Sequence, residues 1–201
     1  MTTDLHRQRF AAVLEVVRQS GARSVLDLGC GDGELTLAIA KEPGIDRLLG
    51  IDLDSAALEQ LRARLRDQPE VDAEVTFREA SYLTPDPSLG GFDAVLMVET
   101  IEHVDPARLS SLEHAVFATI RAPLVVVTTP NADFNPLLGV PGHRLRHPDH
   151  RFEWGRERFA RWAEGVAGRN GYSVSFDDLG GSVPGYGGPS QMAVFTRERG
   201  D

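Results

Sequence analysis

A chain of 201 residues with 21 basic and 30 acidic side chains, net charge −9, has room for one well-buried domain, expected over residues 1–201, and argues against broad electrostatic binding to nucleic acid. Its single cysteine, Cys30, excludes an internal disulfide and gives no sign of an oxidising compartment. The N-terminus Met1-Thr2-Thr3-Asp4 has no apolar signal core and no apolar run is long enough to span a bilayer, so the cytoplasm is the expected location.

Residues 4–20 place Leu5, Phe10, Val13, Leu14 and Val17 at helical spacing, with Gly21 as the stop. Arg23 to Leu28 reads as a buried strand entering the glycine-rich turn Gly29-Cys30-Gly31-Asp32-Gly33. Glu34 to Lys41 is helical, Asp46 to Leu53 a second strand, and Ser55 to Arg66 a strong helix capped by Asp54 or Ser55. Ala73 to Arg78 is a third strand. Phe92 to Val98 is a fourth, nearly all apolar, as a central parallel strand should be. A helix is expected over Pro106 to Thr119, and a fifth strand over Leu124 to Thr129, stopped by Pro130-Asn131. The stretch from Asn131 to Asp149 has no period, and a loop this long in a compact domain is usually functional. Glu153 to Asn170 is helical. Tyr172 to Asp177 and Gln191 to Thr196 alternate like an antiparallel pair. The alternation predicts an α/β sheet of seven strands, mainly parallel, with helices on both faces and an antiparallel C-terminal edge.

Two constellations carry chemistry. The first is Asp27-Leu28-Gly29-Cys30-Gly31-Asp32-Gly33, whose glycines let the backbone turn sharply and let a ligand approach it closely. Its G-x-G-x-G spacing differs from the dinucleotide G-x-G-x-x-G. Asp52 ends the next strand, where an acid can hold both hydroxyls of a ribose. A nicotinamide or flavin site, or a plain strand-to-helix turn, is the competing reading. The pattern resembles that of class I S-adenosylmethionine-dependent methyltransferases, which are Rossmann-like. That resemblance implies that Asp27 faces the methionine end and that Gly29 and Gly31 line the nucleoside. It also implies that Asp52 takes the ribose, that Leu53 packs near the adenine, and that Ala80-Ser81 closes over it.

The second constellation is Glu99-x-x-Glu102-His103. If a helix begins just after Val98, these three side chains share one face, at about 100° per residue. Three ligand-type groups within one turn can grip a cation, and a loop histidine, with His150 as the candidate, can supply a fourth ligand. Mixed nitrogen and oxygen donors shift preference from Mg²⁺ toward Mn²⁺, Co²⁺ or Fe²⁺. The plainer reading is a helix N-terminus with acids favoured by its dipole, and histidines that only pack or hydrogen-bond. Basic charge is concentrated too: six arginines fall between Arg144 and Arg161, and Lys41 is the only lysine. The arginine fork suits phosphate, although interleaved Glu153, Glu157 and Glu164 point to a salt-bridged helix surface.

Glu99-Thr100-Ile101-Glu102-His103-Val104-Asp105-Pro106, Thr128-Thr129-Pro130-Asn131 and His147-Pro148-Asp149-His150-Arg151-Phe152-Glu153-Trp154 together resemble one family over nearly the whole chain. It is the HUA-enhancer type of small-RNA 3′-terminal 2′-O-methyltransferase. The resemblance implies that Asp52 and Ser81 contact S-adenosylmethionine, and that Glu99, Glu102, His103 and His150 bind Mn²⁺ or Mg²⁺ and form the catalytic set. His150 is preferred to His147 because it stands in the Asp-His-x-Phe-Glu-Trp match. It further implies an RNA substrate with a free 2′,3′-diol end and, in bacterial members, an RNA-repair kinase-phosphatase or ligase partner. Two departures stand out. Ala80-Ser81 replaces the usual Gly-Ser pair, and Gly155 replaces a threonine that would cap the following helix, so a looser helix start is expected there. Arg144, Arg146, Arg151 and Arg156 are the expected phosphate contacts. The rivals are a metal-assisted O-methyltransferase of a small diol and a catalytically silent module that recognises RNA 3′ ends.

Overall fold

The structure, a computed structural model, describes residues 4–68 and 70–198. Seven strands form one sheet: β1 (Ser24–Leu28), β2 (Arg47–Asp52), β3 (Glu74–Glu79), β4 (Ala94–Val98), β5 (Leu124–Pro130), β6 (Tyr172–Leu179) and β7 (Ser190–Arg197). Their order is β3-β2-β1-β4-β5-β7-β6. The first five in that order pair in parallel, and β7 runs antiparallel between β5 and β6. β5 is buried at every residue, which is what the apolar run Leu124-Val125-Val126-Val127 demands of a strand covered on both faces.

Five helices flank the sheet: α1 (Asp4–Ser20), α2 (Glu34–Ala40), α3 (Ser55–Arg66), α4 (Leu109–Glu113) and α5 (Arg156–Asn170). Strand alternation divides the core. Leu26 and Leu28 join Phe117 and Phe159 on the α4–α5 side, while Val25 joins Val13, Val17 and Ile39 on the α1–α2 side. Asp54 caps α3 as its sequence suggests, accepting from the Ala56 and Ala57 N–H groups. No helix among the described residues is long and apolar enough to cross a membrane.

Three local expectations are corrected. No α-helix begins after Val98. Glu99 takes a left-handed φ of 52°, its N–H donates to Thr128, and only one 3₁₀ turn follows, Ile101–His103. The tie to Thr128 draws the chain toward β5, and the extended Val104, two residues before Pro106, ends the turn. The run expected as one helix from Pro106 is a 3₁₀ turn, then α4, then a π turn over His114–Ile120. Finally, α5 starts at Arg156, leaving Glu153 outside it. Its start is not loose. The Asp133 carboxylate accepts from the Arg156 N–H at 3.0 Å, doing for Gly155 what a threonine hydroxyl would do locally. A Cβ on Gly155 would stand 2.3 Å from Asp133 Oδ1, so the missing side chain makes room for this cap.

Candidate active site

Strand order reverses direction between β1 and β4, and the crevice outside their carboxyl ends is where sheets of this kind take ligands. Both constellations lie there. After β1 the chain turns through Gly29, Gly31 and Gly33, all at positive φ. At Gly29 a Cβ would meet Thr100 Cγ2 at 2.8 Å, so the turn can lie against the β4 loop only as glycine. At Gly31 a Cβ would meet nothing within 4 Å, which leaves that face of the backbone open to the crevice.

Asp52, at the end of β2, accepts from the Gly31 N–H at 2.8 Å and from the Asp54 N–H at 3.0 Å. These bonds fix the carboxylate at the mouth of a cleft of about 300 Å³ that Leu53, Tyr82, Thr100 and His103 also line. Leu53 is 65% exposed, an apolar platform left bare beside a polar cleft. Ser81 does not line the cleft; its hydroxyl accepts from the Leu83 N–H within the turn after β3, and the adjacent Tyr82 takes the lining position. Asp27 lies inside β1, almost fully buried, with one donor, the Thr36 hydroxyl at 2.6 Å. Burial pushes its pKa up to about 6. It lines a second cleft of about 200 Å³ with Gly29, Gly31, Arg9, Phe10 and Glu99.

The 3₁₀ turn brings Glu102 and His103 to the same crevice, and the loop after β5 brings His150 to meet them. One ligand-type atom from each lies within 4.8 Å of the other two. Each is held from behind. Glu102 Oε2 accepts from the Thr129 hydroxyl at 3.0 Å, the Asp149 backbone lies against His103 and favours its protonated ring, and His150 Nδ1 meets Glu153 Oε1 at 2.6 Å. The Arg151 N–H donates to the Glu102 carbonyl at 2.7 Å, tying the loop to the turn. Glu102 is fully buried, yet its Oε1 has no hydrogen-bond partner among the described residues. Burial, and then the charge of Glu99, raises its pKa well above the carboxylate range. Burial, and then the neighbouring His150, lowers that of His103, which favours the neutral ring. A buried carboxylate with one oxygen lacking a donor, grouped with two imidazoles, is the donor set that a divalent cation satisfies.

Glu99 is not in this cluster. Its Oε1 accepts from the Thr128 hydroxyl at 3.0 Å and its Oε2 pairs with Arg9 Nη2 at 3.0 Å. His147 stands further out, with ring centroids 6.3 Å from His103 and 5.6 Å from His150. Arg146 is not available to a phosphate. It donates to Asn135 Oδ1, to the Pro189 carbonyl and to the Asn131 carbonyl. Arg156 is engaged as well, with the Gly185 carbonyl and Asp133. Arg144 and Arg151 are exposed, and their guanidinium groups make no ion pair among the described residues. Sequence reasoning passed over Arg9, Tyr82, Thr129 and Glu153. Of these Thr129 and Glu153 stand in the motifs that carry the resemblance, Glu153 three residues from His150, while Arg9 and Tyr82 have no comparable signal.

The strand order, the glycine turn at its switch point and the acid at the end of the next strand define a Rossmann-like, class I methyltransferase domain. The family described as "Methyltransferase domain" matches residues 25–122. The solved methyltransferase domain of bacterial CtHen1-C is 37% identical, with a TM-score of 0.86, over 98% of this chain and 100% of that one. The solved small RNA methyltransferase HEN1 is 31% identical, with a TM-score of 0.88, over 97% of this chain and 25% of that one. A small RNA 2′-O-methyltransferase of Gallus gallus is 35% identical over 98% of this chain and 55% of its own length. The chain belongs to the Hen1 family of small-RNA 2′-O-methyltransferases, matching its methyltransferase domain. It spans about half the length of the curated vertebrate relatives it matches.

Proposed function

We propose that this protein transfers a methyl group from S-adenosylmethionine to the 2′-hydroxyl of the 3′-terminal nucleotide of an RNA, with a divalent cation at Glu102, His103 and His150. The observation that carries this reading is the buried carboxylate of Glu102, its Oε1 unpartnered among the described residues, grouped with two imidazoles of which His103 lines the same cleft as Asp52. When bound, S-adenosylmethionine supplies the electrophilic methyl and the cation supplies Lewis acidity toward a vicinal diol. The chain supplies the rest. Asp52 accepts from the cofactor ribose, Leu53 floors the adenine, Gly29 and Gly31 let the nucleoside approach the backbone, and Asp27 faces the amino-acid end. Ser81 acts on the adenine side through the turn it stabilises. Glu102, His103 and His150 would hold the cation, and Glu99, which pairs with Arg9 in this structure, would be the fourth ligand. Holding the diol and the methyl donor in one crevice lowers the barrier by positioning.

Arg144 and Arg151 contact the phosphates near the chain end. With a net charge of −9, much of the RNA affinity comes from a partner, for which an RNA-repair kinase-phosphatase or ligase is the proposed class. The test is incubation with labelled S-adenosylmethionine, Mn²⁺ and either an RNA with a 2′,3′-diol end or the same RNA with a 2′-deoxy terminus. Label in the first alone is expected. Equal label in both, or label in a 3′-phosphorylated RNA, would overturn the proposal. Label in a mononucleoside but in neither RNA would point to a small diol as substrate.

A further inference from the structure

Glu153 belongs to the loop before α5, and its side chain is only 1% exposed. Burying a carboxylate is costly unless donors surround it. Here two N–H groups donate to it, Asn135 Nδ2 at 2.8 Å on Oε2 and the Arg146 N–H at 2.6 Å on Oε1, and the His150 ring Nδ1 lies 2.6 Å from Oε1. The lock has a second layer. Arg146 Nε donates to Asn135 Oδ1, fixing the amide that in turn faces Glu153. Stacked Phe152 and Trp154 rings, 4.2 Å apart, flank the residue in sequence, and the Trp154 carbonyl accepts from Ala132 N–H and Gln191 Nε2.

With Asn135 Nδ2 donating to one oxygen and the Arg146 N–H to the other, Glu153 is surrounded as an acceptor, and an acceptor in the 2.6 Å contact requires the proton on His150 Nδ1. A neutral imidazole protonated at Nδ1 has its lone pair on Nε2. We propose that Glu153 is the positioning residue of the cluster. It holds His150 as the Nδ1–H tautomer, with Nε2 offered to the space beside Glu102 and His103, and Asn135 and Arg146 keep Glu153 itself in place. The use to which that lone pair is put, cation binding, rests on the reading proposed above. The orienting contact does not. Outer partners of this kind usually change metal affinity by about 10- to 100-fold.

The experiment pairs two readouts on the metal-free protein. Heteronuclear NMR of the imidazole nitrogens at pH 8 reports the tautomer of His150, and calorimetric titration with Mn²⁺, without RNA or S-adenosylmethionine, reports affinity. The wild-type protein should show His150 protonated at Nδ1. Glu153→Ala should shift it toward the Nε2–H form and weaken Mn²⁺ binding about 10- to 100-fold. Glu153→Gln keeps an acceptor for Nδ1 but sets its own NH₂ against that of Asn135, so a smaller loss is expected. Glu157→Gln removes an exposed acid on α5 and should change neither readout. An Nε2–H His150 in the wild-type protein, or a folded Glu153→Ala protein that keeps the wild-type His150 tautomer, would overturn the proposal. Mn²⁺ binding that is the same in wild type and His150→Ala would overturn the metal reading alone, and a tautomer change between wild type and Glu153→Ala would still uphold the orienting role.

Discussion

Arg9 Nη2 lies 3.0 Å from Glu99 Oε2, so the first helix of the chain reaches the residue that follows β4. Both side chains are largely buried, and Arg9 also reaches the Ser190 hydroxyl on β7. Removing one member of a buried pair strands the other. Arg9→Met should therefore lower stability by about 3 kcal/mol in urea denaturation. Glu99→Gln in the same chain should recover part of that loss, because the neutral amide needs no counter-charge. Equal destabilisation by the single and double variants would show that Arg9 acts through packing alone.

Asp27 sets a pH dependence. Its folded pKa, about 6, lies above the ordinary 3.8 because burial disfavours the charge. A raised folded pKa stabilises the fold at pH values below the ordinary pKa, and that contribution is lost as pH rises through the folded pKa. Asp27→Asn should thus be more stable than wild type at pH 8, by about 3 kcal/mol on the scale of 1.36 kcal/mol per pH unit. The gap should close as pH falls through 6 and vanish below about 4. Thermal melts of both proteins across this range check it. A gap that does not vary with pH would mean that Asp27 is not the titrating group.

The arginines divide into two kinds. Arg151→Ala should weaken RNA binding and lower the slope of log affinity against log salt by about 1, leaving the melting temperature nearly unchanged. Arg146→Ala should do the reverse in stability. It leaves Asn135 Oδ1 without this donor and takes one of two donors from the Asn131 and Pro189 carbonyls, which keep the Phe134 and Asn131 N–H groups, and a loss of about 2 kcal/mol is expected. Salt titrations of binding and denaturation curves for both variants separate the roles.

Gly155→Thr, a good local cap in isolation, should destabilise this chain by about 1–3 kcal/mol, because its Cβ would collide with Asp133 Oδ1. Combining it with Asp133→Ala removes the obstacle and lets the new hydroxyl cap α5. The double variant should recover most of the loss in denaturation midpoint.

What could be read from the sequence follows the range of the interactions concerned. The bounds of α3 and its cap depend on neighbours within one turn, and they match at Ser55 and Arg66. The glycine turn and Asp52 were legible because close backbone approach and a strand-end acid are local requirements. The helix expected after Val98 fails because Glu99, drawn toward Thr128 on β5, takes a left-handed φ of 52°, and the chain is extended again at Val104. Arg146 resembles a surface cation in sequence, and only the fold shows that Asn131, Asn135 and Pro189 consume its donors. Glu153 was grouped with the acids of α5 by spacing. Its partners lie before it, at Asn135, Arg146 and His150, and no helical period reports them.

The cluster also has a place in the order of assembly. Glu102 and His103 precede β5, and His150 follows it. They meet only after β5 has docked between β4 and β7 and the loop has returned to hand the Arg151 N–H to Glu102. Contacts so distant in sequence close late in folding. The glycine turn and Asp52 depend on β1, β2 and α2, a shorter and more local unit. If the β5–β7 edge opens first, the chain loses its histidine–carboxylate group while the glycine crevice is still formed. A ligand that binds only the assembled group would draw the last step of folding to completion.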